Sequence, residues 1–416
     1  MDQGHGLTST IGADFPGFVS PEVVYMTLLF ALIVVPRVLA RWQVPTAITS
    51  LTLGAAVSLT VGWFRSDATI QLLATLGISA LFLFAGLEVD FRALAHRRRV
   101  LTQHLVLLAL VIAGLAFGLH RFGGLEWRVS VLIVLALLTP SAGFILDSIA
   151  SLPLSDDQRG WVRSLTIASE LVSLLVLFVV LQSATITQLL IGTTALLALI
   201  VGLPLMFRAF AVWIEPFAPK SDFAFLLMLT LLSAFVTRKL GAYYLVGAFV
   251  VGMMAQRFRA RLPSMASEHT LHAVEVFASF FIPFYFFNAG LHFGPEDMSL
   301  GALGMGLGSL ALVVPLRVGM IALHRRVALH EPLAEGSKVA VSLVPTLVFT
   351  LVIAELLRER FAPGPVLFGG LVIYAIGNTL LPTILLRAPA PLYDQPELPE
   401  LAGVPPLDIG VGPPRQ

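Results

Sequence analysis

Apolar residues run along this chain in long blocks that short polar or charged segments separate. Blocks such as 101–118, 167–182 and 299–316 are nearly free of charge. Each has about the length that a helix needs to cross a hydrocarbon core of ~30 Å. The pattern therefore predicts an all-α polytopic membrane protein of about thirteen transmembrane helices. The predicted spans are 21–40, 45–63, 69–89, 100–119, 128–150, 158–183, 186–210, 221–238, 241–256, 268–292, 299–323, 335–357 and 364–386.

The two ends of the chain differ from this apolar middle. Residues 1–20 form a short, polar, Gly-rich segment, and residues 388–416 are rich in proline. A composition of the second kind predicts disorder. The predicted transmembrane domain is therefore 21–387.

Composition agrees with a membrane protein and excludes several classes of function. Hydrophobic residues make up 57% of the chain and charged residues 12%, whereas soluble domains carry about 25% charged residues. The net charge of +1 predicts no nucleic-acid partner, and the lack of cysteine excludes disulfides, iron–sulfur clusters and thiol catalysis. We find no Gly-rich phosphate loop, clustered metal ligands or nucleophile elbow. The sequence therefore predicts neither an enzyme nor a bound cofactor.

Basic residues are distributed unevenly between the two sides of the predicted membrane. If the N-terminus lies outside, seven of the 26 lysine and arginine residues lie on outer segments, and Arg317 belongs to neither side. The outer seven are Arg65, Arg121, Arg128, Arg238, Lys239, Arg358 and Arg360. The other eighteen lie on the inner side, and positive residues favour the cytoplasmic face. The distribution predicts a multi-pass protein of the cell inner (plasma) membrane with its C-terminus in the cytoplasm.

Two short motifs recur at nearly the same spacing. Residues 83–87 (LFAGL) resemble 287–291 (FNAGL), 204 positions later, and 138–141 (LTPS) resemble 343–346 (LVPT), 205 positions later. In both cases the copies lie seven predicted helices apart, so the second copy is inverted in the membrane. Inverted repeats of this kind are typical of secondary transporters, whose binding site lies between the halves near the midplane.

Both copies of the second motif place a proline inside a predicted helix. Pro140 and Pro345 each remove a backbone donor and crowd the preceding turn. Thr139 and Ser141 flank the first proline, and Thr346 follows the second. Interrupted helices are tolerated in membranes where they line a cavity or pack within protein, and their half-helix ends can then face an ion. A simple proline kink is the alternative for each.

Glu170 is the most informative polar residue of the sequence. It lies about twelve residues into its span, or ~18 Å at 1.5 Å per residue, which places it near the middle of the membrane. An ionisable group at that depth is costly and indicates function. Its carboxylate is predicted to bind either a proton or a sodium or potassium ion transiently, with hydroxyl ligands from Ser169 and Ser173. The alternative is a protonated glutamate that only bonds a neighbouring helix.

Arg317 is the one basic residue well inside an apolar span. We expect it to be the charge partner of Glu170, because a buried carboxylate without proton or cation needs one. Snorkelling to the cytoplasmic surface is the alternative. Asp147, one to two turns after Pro140, is a candidate for the lining of an inner funnel, and a solvated helix end is equally compatible with it.

The order of these features resembles the cation/proton antiporter superfamily, in its second branch. That branch includes bacterial sodium/proton antiporters and the membrane part of glutathione-gated potassium efflux systems. The similarity covers nearly all of residues 21–387. Its most specific parts are 76–88 (LGISALFLFAGLE) and 281–291 (FIPFYFFNAGL), followed by 247–252 (GAFVVG).

The resemblance implies a six-helix core with two crossed, broken helices, at about 100–183 and 299–386. It also implies a dimerisation scaffold at about 21–89 and 221–292, and a homodimer. Glu170 would be the shared proton and cation carrier, with Arg317 as its partner. The chain departs from the family in three ways: Glu170 stands for an aspartate, Ser169 for an acid or amide, and 344–346 (VPT) for a Gly-rich acidic stretch.

The sequence thus predicts a secondary active transporter that exchanges a monovalent cation, sodium or potassium, for a proton. With one carboxylate beside Arg317, the exchange is expected to be electroneutral, and the resemblance implies elevator-type alternating access. Two alternatives stay open. One is a sodium-coupled symporter of an organic anion, and the other is a non-transporting membrane scaffold or sensor with the same fold.

Overall fold

The computed structural model describes residues 20–42, 44–218, 221–240, 244–258 and 267–386. Within these ranges the regular elements are α-helices and short 3₁₀ turns, without a strand. The predicted disordered tail at 388–416 lies outside the described residues, as does the predicted N-terminal segment except for Ser20.

The helices follow the apolar blocks of the sequence. Their bounds are α1 Pro21–Leu39, α2 Thr46–Thr60, α3 Ala68–Leu87, α4 Phe91–His96, α5 Arg98–Gly123, α6 Trp127–Leu138, α7 Ala142–Ser148, α8 Asp156–Gln182, α9 Ile186–Trp213, α10 Asp222–Lys239, α11 Tyr244–Phe258, α12 Glu268–Leu291, α13 Leu300–Leu329, α14 Leu333–Ser342, α15 Leu347–Phe361 and α16 Pro365–Leu386.

Each predicted span coincides with one helix or with an interrupted pair. The pairs are α6 with α7 and α14 with α15, and the second pair bends by 49°. In the described part of the chain, nine helical segments are long and apolar enough to cross a membrane, or ten with the bent pair. Helices α2 and α11 are shorter apolar helices. The all-helical membrane architecture is confirmed, and the count of thirteen crossings stays a prediction.

The helices pack in two groups. In one group α12 packs along α2 and α3, α11 packs along α3, and α10 packs along α11. In the other, α5 packs on α6, α13 on α14 and α16, and α15 on α6 and α16. The groups meet, among other places, where α3 contacts α7. The assignment of these helices to a scaffold and a core stays a prediction.

Glycines allow very close helix crossings in the first group. A Cβ atom on Gly290 would lie 2.1 Å from the Leu51 carbonyl oxygen, and one on Gly54 would lie 2.0 Å from the Phe287 oxygen. Gly86 and Gly252 make the same kind of crossing between α3 and α11. Both copies of the first repeated motif, 83–87 and 287–291, therefore place a glycine at a helix crossing, Gly86 and Gly290.

We expect Gly290→Ala to lower the free energy of unfolding by about 1–3 kcal/mol, because the added methyl forces the α2 and α12 backbones apart. The matched control is Gly114→Ala in α5, where an added Cβ meets no atom within 4 Å. Thermal unfolding in detergent measures both variants. Equal stability of the two would show that the α2–α12 crossing is not tight.

A buried arginine fixes the turn between α13 and α14. Arg325, whose side chain is 2% exposed, donates to both carboxylate oxygens of Glu331 at 2.5 and 3.0 Å. These bonds lower the pKa of the Glu331 carboxyl below its ordinary value. The guanidinium also lies over the Trp161 ring of α8, 4.3 Å from its centroid. The contact ties one end of α8 to the second broken helix pair.

Candidate functional site

The first helix break lies at Thr139, Pro140 and Ser141. Helix α6 ends at Leu138, and Thr139 and Ser141 have extended backbones before α7 begins at Ala142. Proline has no N–H to continue the helical ladder, and it moves the preceding residue out of the helical region. The interruption therefore follows directly from the local sequence.

The second break lies at Pro345 and touches the first. Helix α14 ends at Ser342 and α15 begins at Leu347. The Ser141 amide of the first break donates to the Pro345 carbonyl oxygen at 2.9 Å. The two interrupted helices therefore meet at their broken segments, where one backbone supplies a hydrogen-bond partner to the other.

Glu170 lies beside the first break in the protein interior. Glu170 is 1% exposed, and its Oε2 atom has no hydrogen-bond partner among the described residues. The backbone amide of Ala142, at the start of α7, interacts with the carboxyl group. A helix N-terminus carries a partial positive charge. The broken helix thus gives Glu170 a backbone dipole in place of a full charge.

Buried hydroxyl groups lie on the two chain segments that meet at Glu170, the first break and α8. Ser141 Oγ and Thr166 Oγ1 are buried and, like Glu170 Oε2, have no hydrogen-bond partner in the described part of the chain. Thr139 donates to Ser173 Oγ at 2.9 Å. Ser169 lines a cavity of about 20 Å³ together with Pro140 and Arg317, which is enough for one water molecule. Oxygen ligands of this kind suit hard cations.

Arg317 has a different partner from the one that the sequence predicts. Its guanidinium donates to the carbonyl oxygens of Val344 and Leu343 at 2.7 Å each and of Leu137 at 3.4 Å. Among the ion pairs of the described residues there is none between Arg317 and Glu170. The carbonyls belong to the ends of α6 and α14, which carry partial negative charge. Arg317 is 3% exposed and neutralises two helix ends.

A second polar network, which the sequence analysis missed, holds the other break. Asn378 of α16 accepts from the Thr346 amide at 3.1 Å and donates to Thr346 Oγ1 at 2.7 Å. Thr350 donates to the Ala136 carbonyl oxygen at 2.6 Å. The depth of Asn378 in an apolar span was a usable signal, since such residues bond across helices. Thr166 gave no signal, because lone hydroxyls are common in membrane helices.

Two cavities lie at opposite ends of the antiparallel α3–α12 pair. The Glu88 cavity, of about 170 Å³, is lined by residues of α3, α7, α8 and α12. Within it Arg163 lies 3.7 Å from Glu88. The Glu355 cavity, of about 240 Å³, is lined by residues of α3, α10, α12 and α15. The first reaches Gly143, next to the residue that faces Glu170, whereas the second ends at Glu355, nine positions after Thr346.

The two cavities are built from equivalent positions of the repeat. Residues of α3 and α12 that line one cavity lie 204 positions from residues that line the other. The six pairs are Gln71 and Glu275, Ala74 and Ala278, Thr75 and Ser279, Leu81 and Tyr285, Phe84 and Asn288, and Glu88 and His292. This spacing equals that of the repeated motif, and it supports the predicted inverted repeat.

Asp147, the predicted funnel residue, belongs to α7, but its side chain lies outside what the structure describes. Its neighbours Gly143 and Leu146 line the Glu88 cavity. The funnel role of Asp147 stays a prediction.

Comparison with known families decides the class of the protein. The family model described as "Sodium/hydrogen exchanger, transmembrane" matches residues 25–390. The chain belongs to the sodium/hydrogen exchanger family. It is therefore a multi-pass membrane protein of a cation/proton antiporter family, as the sequence predicts.

Individual proteins that are similar to this chain agree with its membership of the exchanger family. It is similar to a probable Na(+)/H(+) antiporter 3 of Methanocaldococcus jannaschii, with 23% identity over 377 residues, which cover 88% of this chain and 95% of the relative. Its fold is similar to that of the sodium proton antiporter MjNhaP1 of the same organism at pH 8, with a TM-score of 0.63 and 14% identity. That match covers 88% of this chain and 95% of the solved one.

Thr166 provides a test of the predicted cation site at Glu170. We expect Thr166→Val to raise the KM for sodium by about 2–10-fold, which corresponds to one lost polar contact of ~0.5–1.5 kcal/mol. The variant keeps the shape of the side chain and removes the hydroxyl one turn from Glu170. The control is Thr60→Val, since Thr60 is exposed and bonds only its own helix. An unchanged KM in Thr166→Val would exclude Thr166 as a ligand.

Proposed function

We propose that the protein exchanges sodium or potassium for a proton across the plasma membrane, with Glu170 as the carrier of both. The observation that carries the proposal is the position of Glu170. Its buried carboxyl has an oxygen without a hydrogen-bond donor among the described residues, beside Ser141 and Ala142 at the crossing of two broken helices.

Competition for one carboxyl explains the coupling. A bare anion in a buried site is unfavourable by several kcal/mol. Glu170 is therefore stable in transit only with a proton or with a cation, and one carboxyl cannot hold both. Because each loaded form is neutral and Arg317 keeps its bonds to the helix ends, the exchange carries no net charge. The proposal is a one-for-one, electroneutral exchange.

The two cavities supply the access routes. In the predicted topology the Glu88 cavity opens to the cytoplasm, because it contains the last turn of α3, and the Glu355 cavity opens outside. The Glu88 cavity reaches the first turn of α7, whereas Glu355 is ~13 Å along α15 from the second break at 1.5 Å per residue. We infer that the structure is inward-facing. Movement of the core helices α5–α8 and α13–α16 against a dimeric scaffold would close the inner route to Glu170 and open the outer one.

Proteoliposomes with a trapped pH dye test the function. We expect an outward sodium or potassium gradient, but not a choline gradient, to drive proton uptake, without current on a supported membrane. Proton movement under a choline gradient would indicate a leak. Failure of every alkali cation to move protons, with folded protein, would overturn the proposal. A current would overturn the stoichiometry alone.

A further inference from the structure

Glu355 is a buried acid that the proposed exchange through Glu170 does not use. It lies on α15 at the inner end of the Glu355 cavity, and its side chain is 14% exposed. Its Oε1 atom has no hydrogen-bond partner among the described residues. Removal of a carboxyl oxygen from water costs free energy when no hydrogen bond replaces the lost hydration. The position therefore requires an explanation.

Neighbouring cations do not provide it. Arg358, one turn further along α15, donates to the His292 carbonyl oxygen at 2.5 Å and to Asp297 Oδ1, and it stacks over Phe368. Both of its Nη groups thus donate to acceptors other than Glu355. His292 Nδ1 lies 4.0 Å from Glu355 Oε1. That nitrogen carries a hydrogen that is donated to the Asn288 carbonyl oxygen at 2.9 Å, since a carbonyl only accepts.

A second unsatisfied oxygen lies in the same cavity. Asn288 Oδ1 is buried without a hydrogen-bond partner in the described residues. Asn288 and His292 belong to the last turn and the C-cap of α12, where helix carbonyls concentrate partial negative charge. A carboxylate, an amide oxygen and a helix C-terminus together favour a hard cation. The cavity of about 240 Å³ leaves room for the water molecules that complete its shell.

The pair is present in only one of the two equivalent cavities. The position that matches Asn288 is Phe84 in the Glu88 cavity, and position 150, which is 205 residues before Glu355, is an alanine. The other charged residues of the Glu355 cavity, Arg238, Glu359 and Arg360, are exposed, so water and salt screen them. Of the two cavities, only the Glu355 cavity therefore carries the oxygen pair.

We propose that Glu355 and Asn288 form a second site for a monovalent cation, at which the ion is held between bulk water and Glu170. The site itself follows from the cavity, and only its assignment to the outer access route rests on the proposed function.

Carbodiimide labelling tests the site without transport. Dicyclohexylcarbodiimide adds to a protonated carboxyl in an apolar setting, and peptide mass spectrometry locates the adduct. In purified full-length Glu170→Gln protein, we expect sodium chloride to reduce labelling of Glu355 about tenfold relative to choline chloride at the same ionic strength. Glu359, one turn away and exposed, should stay unlabelled in both salts and is the control for selectivity. Asn288→Ala should raise the sodium concentration for half-protection by about 3–10-fold.

Equal labelling of Glu355 in the two salts, or its absence in choline, would overturn the second site. If Asn288→Ala leaves the sodium concentration for half-protection unchanged, Asn288 is not part of the site. In right-side-out and everted vesicles, Glu355→Gln should raise the sodium KM about tenfold at the outer face only. Glu126→Gln, at an exposed residue outside the cavity, should leave it unchanged. An equal rise at both faces would contradict the proposed position. A wild-type protein without exchange would overturn the proposed function and leave the labelling result standing.

Discussion

Glu170→Gln abolishes cation-driven proton movement in proteoliposomes, to less than about one-hundredth of the wild-type rate, if Glu170 is the carrier. Glutamine has nearly the same shape and keeps an oxygen that can face the Ala142 amide. It cannot release a proton or neutralise a cation. Because a neutral amide is easier to bury than a carboxylate, the thermal unfolding temperature should stay the same or rise. Dye fluorescence and thermal unfolding of the same preparation measure both effects.

Two further variants separate chemistry from packing. Glu126→Gln removes a carboxyl from an exposed residue at the start of α6 and should leave exchange unchanged. Glu170→Asp keeps the charge on a side chain one methylene shorter and should retain part of the activity. Substantial exchange in Glu170→Gln would remove the site assignment, whatever the family of the protein.

The fold could be predicted from the sequence because the hydrocarbon core of a membrane allows few backbone conformations. Backbone groups in lipid must be satisfied within each segment, so long apolar blocks form helices. Proline removes a donor, so the positions of Pro140 and Pro345 indicated the breaks. The depth of Glu170 in its span indicated an internal carboxyl. Each of these inferences depends on one residue and its distance along the chain, which a sequence states directly.

Other parts of the site depend on which backbone atoms lie opposite a side chain. The partners of Arg317 are carbonyl oxygens, which every residue has and no motif marks. The same holds for Glu355. Its Oε1 atom has no hydrogen-bond partner among the described residues because of how α12 and α15 pack around the cavity, which no sequence pattern indicates. In the sequence, Glu355 lies two residues before the end of the predicted span 335–357. Thr166 became a candidate ligand because the fold leaves its hydroxyl without a partner in the described part of the chain.

Arg317→Leu should lower the free energy of unfolding by about 3–5 kcal/mol. It leaves the carbonyl oxygens of Leu343 and Val344 without their side-chain donor, whereas the Leu137 oxygen keeps the Tyr374 hydroxyl. Each buried orphan costs about 1–3 kcal/mol. It also removes the positive charge between the C-terminal ends of α6 and α14. Arg317→Lys should recover part of the loss, since an ammonium group can reach fewer of the three oxygens than the guanidinium fork. Denaturant titration in detergent measures both variants.

The double variant Glu170→Gln with Arg317→Leu distinguishes the two roles considered for Arg317. If the arginine holds helix ends, the effects of the two substitutions on the free energy of unfolding add to within about 0.5 kcal/mol. If the arginine instead neutralises the carboxylate, removal of Glu170 should recover about 1–3 kcal/mol of the loss. Because the guanidinium donors are directed at carbonyls, we expect additivity. A recovery of that size would restore the ion pair that the sequence predicted, in a conformation different from this one.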